Sequence, residues 1–165
     1  MKGYHVDVSG RYPGMQKGLK DGHTLWYTTQ VASEDAPLTW TEYIAEGAES
    51  QESEYTVYEI NIPSVLTTTA LDNTDPSKIL VLNKENIRKF ANKYRDVMQR
   101  GSVSPLLNRL STHYAGIDVN DTEINRYKAA KYINREMPSG VLWRFSGITA
   151  KPLKDWVNRK LYENQ

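Results

Sequence analysis

Cysteine is absent from all 165 residues, and several chemistries go with it. No disulfide framework, thiolate nucleophile or Cys-ligated zinc site can form. A reducing compartment suits such a chain, so the expected location is the cytoplasm. Histidine is scarce: His5, His23 and His113 are the three present. No two stand at i, i+4 or in an HExxH spacing, so no metal site is expected. There is no GxxxxGK[ST] or GxGxxG loop to cradle phosphate and no GxSxG nucleophile elbow. His23-Thr24-Leu25 and His113-Tyr114-Ala115 lack the HxT/S spacing of two-histidine phosphoesterases. Long apolar runs are missing too. Met1-Lys2-Gly3-Tyr4-His5 lacks the apolar core of a signal peptide, and nowhere do about 18 apolar residues follow one another, so no membrane partner is expected.

What is present describes a globular chain. Apolar residues make up 39% and charged residues 25%, enough to build a core and too apolar for a disordered segment. The length fits one domain, residues 1–165. The net charge of +1 hides an asymmetry: residues 1–83 hold 5 basic and 12 acidic side chains, residues 84–165 hold 16 and 8. Arg88, Lys89, Lys93, Arg95, Lys128, Lys131 and Arg135 could form a basic face for nucleic acid. Equally, such charges line solvated helix faces or offset the acidic half. Glu52-Ser53-Glu54 has the alternation that puts two carboxylates on one strand face. It lies in an acidic stretch with Glu46 and Glu49, which favours a solvated rim.

Along the chain, Tyr4–Val8 alternates as a short strand, and Leu25–Thr29 is a second, rich in aromatic and β-branched residues. Arg11–Gly14 is a turn, and residues 15–22 suit one or two helical turns. Ser33–Ala48 carries a helical stripe of Trp40, Tyr43, Ile44 and Ala48. Tyr55–Ile62 is a strand with Tyr58, Ile60 and Ile62 on one face. Residues 64–77 read as a connector and Ile79–Leu82 as a buried strand. Asn83 caps a helix running to about Arg100, and Ser104-Pro105 opens another that buries Leu106, Leu107 and Leu110. Tyr114–Val119 is a strand. Asp121 or Thr122 caps a helix to about Glu136, Pro138-Ser139-Gly140 breaks it, and Val141, Trp143 and Phe145 alternate in a last strand. Thr149 caps a final helix with Pro152 in its first turn. The order gives an α+β class with flanking helices and a mainly helical C-terminal half.

Tyr4-His5, Gly18-Leu19-Lys20-Asp21-Gly22, Leu25-Trp26-Tyr27-Thr28-Thr29, the helix with Ala36 and Trp40, and Val57–Pro63 together resemble the N-terminal half of ADP-ribosyltransferase-like domains. The likeness is to the branch built on a histidine, a tyrosine and a glutamate, and covers residues 4–63. It implies a mixed or antiparallel split sheet and NAD as substrate. Cleaving the nicotinamide–ribose bond passes through an oxocarbenium-like state, which calls for an aromatic stacking face and a nearby carboxylate. By the resemblance, His5 binds the adenosine-side ribose, Tyr27 stacks the nicotinamide, and Thr28 supports His5. The late acid departs from the pattern. Tyr114-Ala115-Gly116-Ile117-Asp118-Val119 resembles the late strand of phage and mobile-element members, with Asp118 where glutamate is expected and Glu123 five residues on. Otherwise His5 is a strand residue, Tyr27 a core tyrosine, Asp118 a strand-end turn residue and Glu123 a helix-start acid.

Three functions follow as expectations. The first is an NAD-dependent mono-ADP-ribosyltransferase, a toxin or modifier of a protein or nucleic acid. The second is a non-enzymatic binding or inhibitor protein that grips a protein partner through its 4 Trp and 11 Tyr. The third is a nucleic-acid-binding accessory protein using the basic C-terminal half. The oligomeric state is left open.

Overall fold

A computed structural model describes residues 1–8, 24–28, 55–98, 102–134 and 140–152. Backbone proximity divides the chain into two compact units. One comprises Met1–Leu19, Thr28–Ile62 and Ile148–Gln165, the other Lys20–Tyr27 and Pro63–Gly147. Each holds one sheet, and helices join the second, so the class is α+β. The expected turn at 11–14, helices at 15–22 and 33–48, and the Glu52–Glu54 pair lie outside the described residues.

The first unit is a three-stranded antiparallel sheet in the order β1-β3-β8. Strand β1 (Lys2–Val8) pairs along its whole length with β3 (Tyr55–Asn61), from Lys2 opposite Asn61 to Val8 opposite Tyr55. The terminal ammonium of Met1 donates to the Ile62 carbonyl at 2.9 Å, and the Ile62 N–H donates to the Met1 carbonyl at 2.8 Å, which prolongs the ladder. Tyr58, Ile60 and Ile62 are buried, as their alternation predicts, while Asn61 is exposed. On its other side β3 pairs with β8 (Thr149–Pro152), Asn61 lying opposite Thr149 and Tyr58 opposite Pro152. This corrects the expected helix start at Thr149. Proline fixes a φ that serves a helix's first turn or an edge strand equally, and at an edge its missing N–H forfeits no ladder bond. The remainder of that expected helix, with Leu153, Trp156, Val157 and Leu161, lies outside the described residues.

The second unit is a five-stranded mixed sheet in the order β2-β7-β6-β5-β4. These strands are β2 (Leu25–Tyr27), β4 (Thr67–Thr68), β5 (Asp75–Val81), β6 (Tyr114–Asp118) and β7 (Gly140–Leu142). The β4–β5 and β5–β6 pairs are parallel, and β6–β7 and β7–β2 are antiparallel. All five residues of β6 are buried, as expected of a central strand that is covered on both faces. Gly116 is required there, because a Cβ would lie 2.5 Å from the Val141 carbonyl oxygen of the neighbouring strand.

The crossover from β5 to β6 runs through α1 (Ile87–Lys93), a 3-10 turn (Arg95–Val97) and α2 (Ser104–His113). Leu80, Leu82, Ile87, Phe90, Leu106, Leu110 and Ile117 are fully enclosed in one cluster. The expected long helix from Asp121 is divided. Asp121 accepts from the Glu123 N–H at 2.9 Å to cap a 3-10 turn (Thr122–Ile124), and α3 (Lys128–Asn134) follows. Ile124, Ala130 and Ile133 are still buried, so the apolar stripe survives the interruption. In the described residues beyond 84, helices are interspersed with strands: β6 and β7 fall where strands were expected, and β8 stands where the last helix was expected to begin.

Three polar side chains tie this unit together. Asn83 Oδ1 accepts from the N–H groups of Glu85 and Asn86, and Asn86 Oδ1 accepts from the Asn83 N–H at 2.8 Å, a reciprocal cap. The Asn86 Nδ2 then donates to the Val81 carbonyl at 2.9 Å and the Thr69 carbonyl at 3.1 Å. Arg144 donates to the carbonyls of Ser111 and Tyr114, each at 2.7 Å, closing the end of α2 where it turns directly into β6. Asn86→Ala leaves two carbonyls and one N–H without these partners. It is expected to lower stability by about 1–3 kcal/mol, read as a fall in the urea midpoint at unchanged slope.

Candidate functional site

The second unit brings two of the sequence-derived candidates into contact. Gly140 on β7 is opposite Tyr27 on β2 and also opposite Asp118 on β6, so the three form one row across the sheet. A Cβ at residue 140 would lie 2.2 Å from Tyr27 Cζ and 2.3 Å from its hydroxyl. Only glycine therefore lets the ring lie across β7. The ring's far end reaches β6, where Tyr27 Oη donates to Asp118 Oδ2 at 2.8 Å. Asp118 Oδ1 accepts from the Asn120 N–H at 3.1 Å.

Tyr27 is 1% exposed and Asp118 3%. Burial raises the Asp118 pKa, the bonds from Tyr27 and Asn120 oppose that rise, and the Asp121 charge adds to it. Burial also holds the Tyr27 phenol well above its ordinary range, reinforced by the Asp118 charge and the bond to it. The pair is thus a neutral phenol donating to a desolvated carboxyl group. It can hold a proton, and it can fix the spacing of three strands. In this conformation the ring has no open face for a stacking ligand.

The other candidates are elsewhere. Glu123 is exposed in its 3-10 turn and pairs with Lys84 at 3.3 Å. His5 is half-buried on β1, opposite Tyr58 on β3. Thr28 is buried, and its backbone exchanges two hydrogen bonds with Tyr4, at 2.7 and 2.9 Å, one residue from His5. His5 and Thr28 belong to the first unit; Tyr27, Asp118 and Glu123 belong to the second. Among the described residues no three His, Asp or Glu side chains cluster as a metal site, and no helix is long and apolar enough to cross a membrane.

A second, part-buried polar contact escaped the sequence reading. Tyr94 Oη and His113 Nδ1 are 2.8 Å apart, linking the end of α1 to the end of α2. Burial lowers the His113 pKa, with the charges of Lys93 and Arg109 adding to the effect. The residue that matters most to the Tyr27–Asp118 pair, Gly140, reads in the sequence only as a helix breaker. Its strand pairing is long-range, so no local pattern reports it. Compared with family models, with characterised proteins and with solved structures, the chain matches none.

Tyr27→Phe strands a buried acceptor and is expected to cost about 1–3 kcal/mol. It also removes a bond that restrains the Asp118 pKa, so that pKa rises further in the variant's folded state. Between the unfolded carboxylate pKa and that raised value, the folded variant binds more protons than its unfolded chain. Its stability therefore falls as pH rises through that window. The gap between wild type and Tyr27→Phe should be smaller at pH about 4 than at pH about 7, as measured by urea unfolding. Gly140→Ala should cost about 1–3 kcal/mol through overpacking, and less when combined with Tyr27→Ala.

Proposed function

We propose that this chain is an ADP-ribosyltransferase-like protein that uses NAD as substrate and modifies a macromolecular target, a protein or a nucleic acid. The contact between Tyr27 and Asp118 supports the reading. The resemblance assigned both residues to one catalytic centre, and residues 91 positions apart meet at 2.8 Å. Asp118 would stabilise positive charge on the ribose as the nicotinamide bond breaks. Tyr27 would orient that carboxylate and, once uncovered, stack the nicotinamide. His5, with Thr28 beside its strand, would hold the adenosine-side ribose. An ADP-ribosyltransferase-like fold, with its split sheet, belongs to the same proposal.

One observation favours a second reading, a binding or inhibitor protein without turnover. Both oxygens of Asp118 are satisfied internally, and the pair is almost completely enclosed. An aspartate there is also one methylene shorter than the glutamate of the pattern.

Titration with NAD, followed by melting temperature and by nicotinamide release, separates the readings. The transferase reading expects stabilisation of about 2.7 kcal/mol at NAD concentrations a hundredfold above Kd. His5→Ala should weaken NAD binding, and Asp118→Asn should abolish nicotinamide release while leaving binding largely in place. No protection by NAD at any concentration sinks the transferase reading. Protection without release in wild type selects the second.

A further inference from the structure

The packing of α1 against α3 gathers cations around one tyrosine. The Arg88 guanidinium carbon lies 5.9 Å from the centre of the Tyr127 ring, and that of Arg126 lies 5.1 Å from it. The Arg126 Nη2 also donates to the Tyr127 hydroxyl at 3.2 Å. Lys131 is one turn further on, since its N–H donates to the Tyr127 carbonyl at 3.0 Å. Lys128 and Lys131, three residues apart, share the exposed face of α3.

Elsewhere in this unit two cations pair with acids, and others donate to backbone carbonyls, as Lys78 does to Val65 and Arg144 to Ser111 and Tyr114. Arg109 pairs with Asp96 at 2.6 Å, and Lys84 with Glu123 at 3.3 Å. Around Tyr127, among the described residues, no carboxylate pairs with Arg88, Arg126, Lys128 or Lys131. Two guanidinium groups thus lie within 6 Å of the centre of one ring. The bond from Arg126, with the charges of Arg126 and Arg88, holds the Tyr127 phenol below its ordinary range. An anion docked here would meet cations that no carboxylate of the described residues already pairs with. The planar fork of arginine matches phosphate oxygens, and the ring holds each fork in place.

We propose that the surface formed by Arg88, Arg126, Tyr127, Lys128 and Lys131 docks the phosphate backbone of a single-stranded nucleic acid. The four cations are exposed and come from α1, from the turn before α3 and from α3 itself, which suits a ligand with repeated phosphates. An aromatic side chain among them suits a strand whose bases are free to stack. The surface lies within one unit and needs no NAD, so it stands or falls separately from the transferase reading. If both hold, the target of modification is a nucleic acid.

Fluorescence anisotropy of a labelled single-stranded oligonucleotide, titrated with the full chain without NAD at several salt concentrations, tests the proposal. With four phosphate contacts, log affinity should fall against log salt with a slope of about −2.8. Arg88→Gln/Arg126→Gln should reduce the slope by about 1.4 and weaken low-salt binding at least about tenfold. Lys78→Gln/Arg109→Gln removes the same net charge elsewhere and should leave both nearly unchanged. Circular dichroism melting checks that both variants fold. Absence of binding at low salt overturns the proposal, as does an equal loss in the two double variants. So does polyglutamate displacing the strand as well as unlabelled oligonucleotide does, which would assign the surface to an acidic protein.

Discussion

The hydrogen bond from Tyr27 to Asp118 is the constraint on which the five-stranded sheet depends. A carboxyl group buried in the central strand needs donors for both oxygens, because leaving either bare costs more than one hydrogen bond contributes. Asn120 supplies one donor locally. The other comes from two strands away, over a glycine that leaves room for the ring. The geometry is intolerant of slippage. A shift of one residue in β7 would put Ser139 or Val141 under the tyrosine, and a shift in β2 would turn its hydroxyl to the opposite face. One side-chain contact thus fixes the register of three strands of three to five residues each, too short to be fixed firmly by backbone pairing alone.

Similar logic recurs around the parallel half of the sheet. Asn86 exhausts its amide on three backbone groups, and Arg144 closes the abrupt passage from α2 into β6. Tyr114, fully buried at that passage, donates to the Ala70 carbonyl at 2.9 Å. Polar side chains here complete the backbone's hydrogen bonding where an element ends or a connection is too tight for regular pairing. The apolar cluster supplies the bulk of the burial. These contacts select one arrangement of it.

For function, the chain presents two contrasting kinds of feature. Tyr27 and Asp118 are closed, satisfied and desolvated, a state in which a carboxyl group is chemically interesting but inaccessible. The cations around Tyr127 are exposed, and among the described residues no carboxylate pairs with them. A closed pair is stable by itself and gains from being left alone. A surface of unmatched charge gains from a partner. A docked ligand therefore suits the second feature as it stands, whereas catalysis at the first would require the pair to be uncovered.

Much of the local architecture was legible in the sequence, for reasons that are local. Tyr58, Ile60 and Ile62 alternate and are buried together; Leu106 and Leu110 sit one helical turn apart and are buried together; Asn83 caps the turn it precedes. Periodicity and capping act over a few residues, so the chain states them directly. Pro152 misled because a fixed φ suits both a helix start and an edge strand, and only pairing with β3 decides between them. The site divided in the same way. Tyr27 and Asp118 could be named as candidates from residue type and strand context, but not as partners, and Gly140 not as their enabling residue. The sequence by itself determined the alternation of Tyr58, Ile60 and Ile62, the helical spacing of Leu106 and Leu110, and which cations crowd the second half. Only the tertiary structure decided which strands are neighbours, and so which tyrosine meets which carboxyl group and which arginines share a ring. Such pairings join residues tens of positions apart, and their free energy comes from burial and from mutual satisfaction that no short stretch of chain contains.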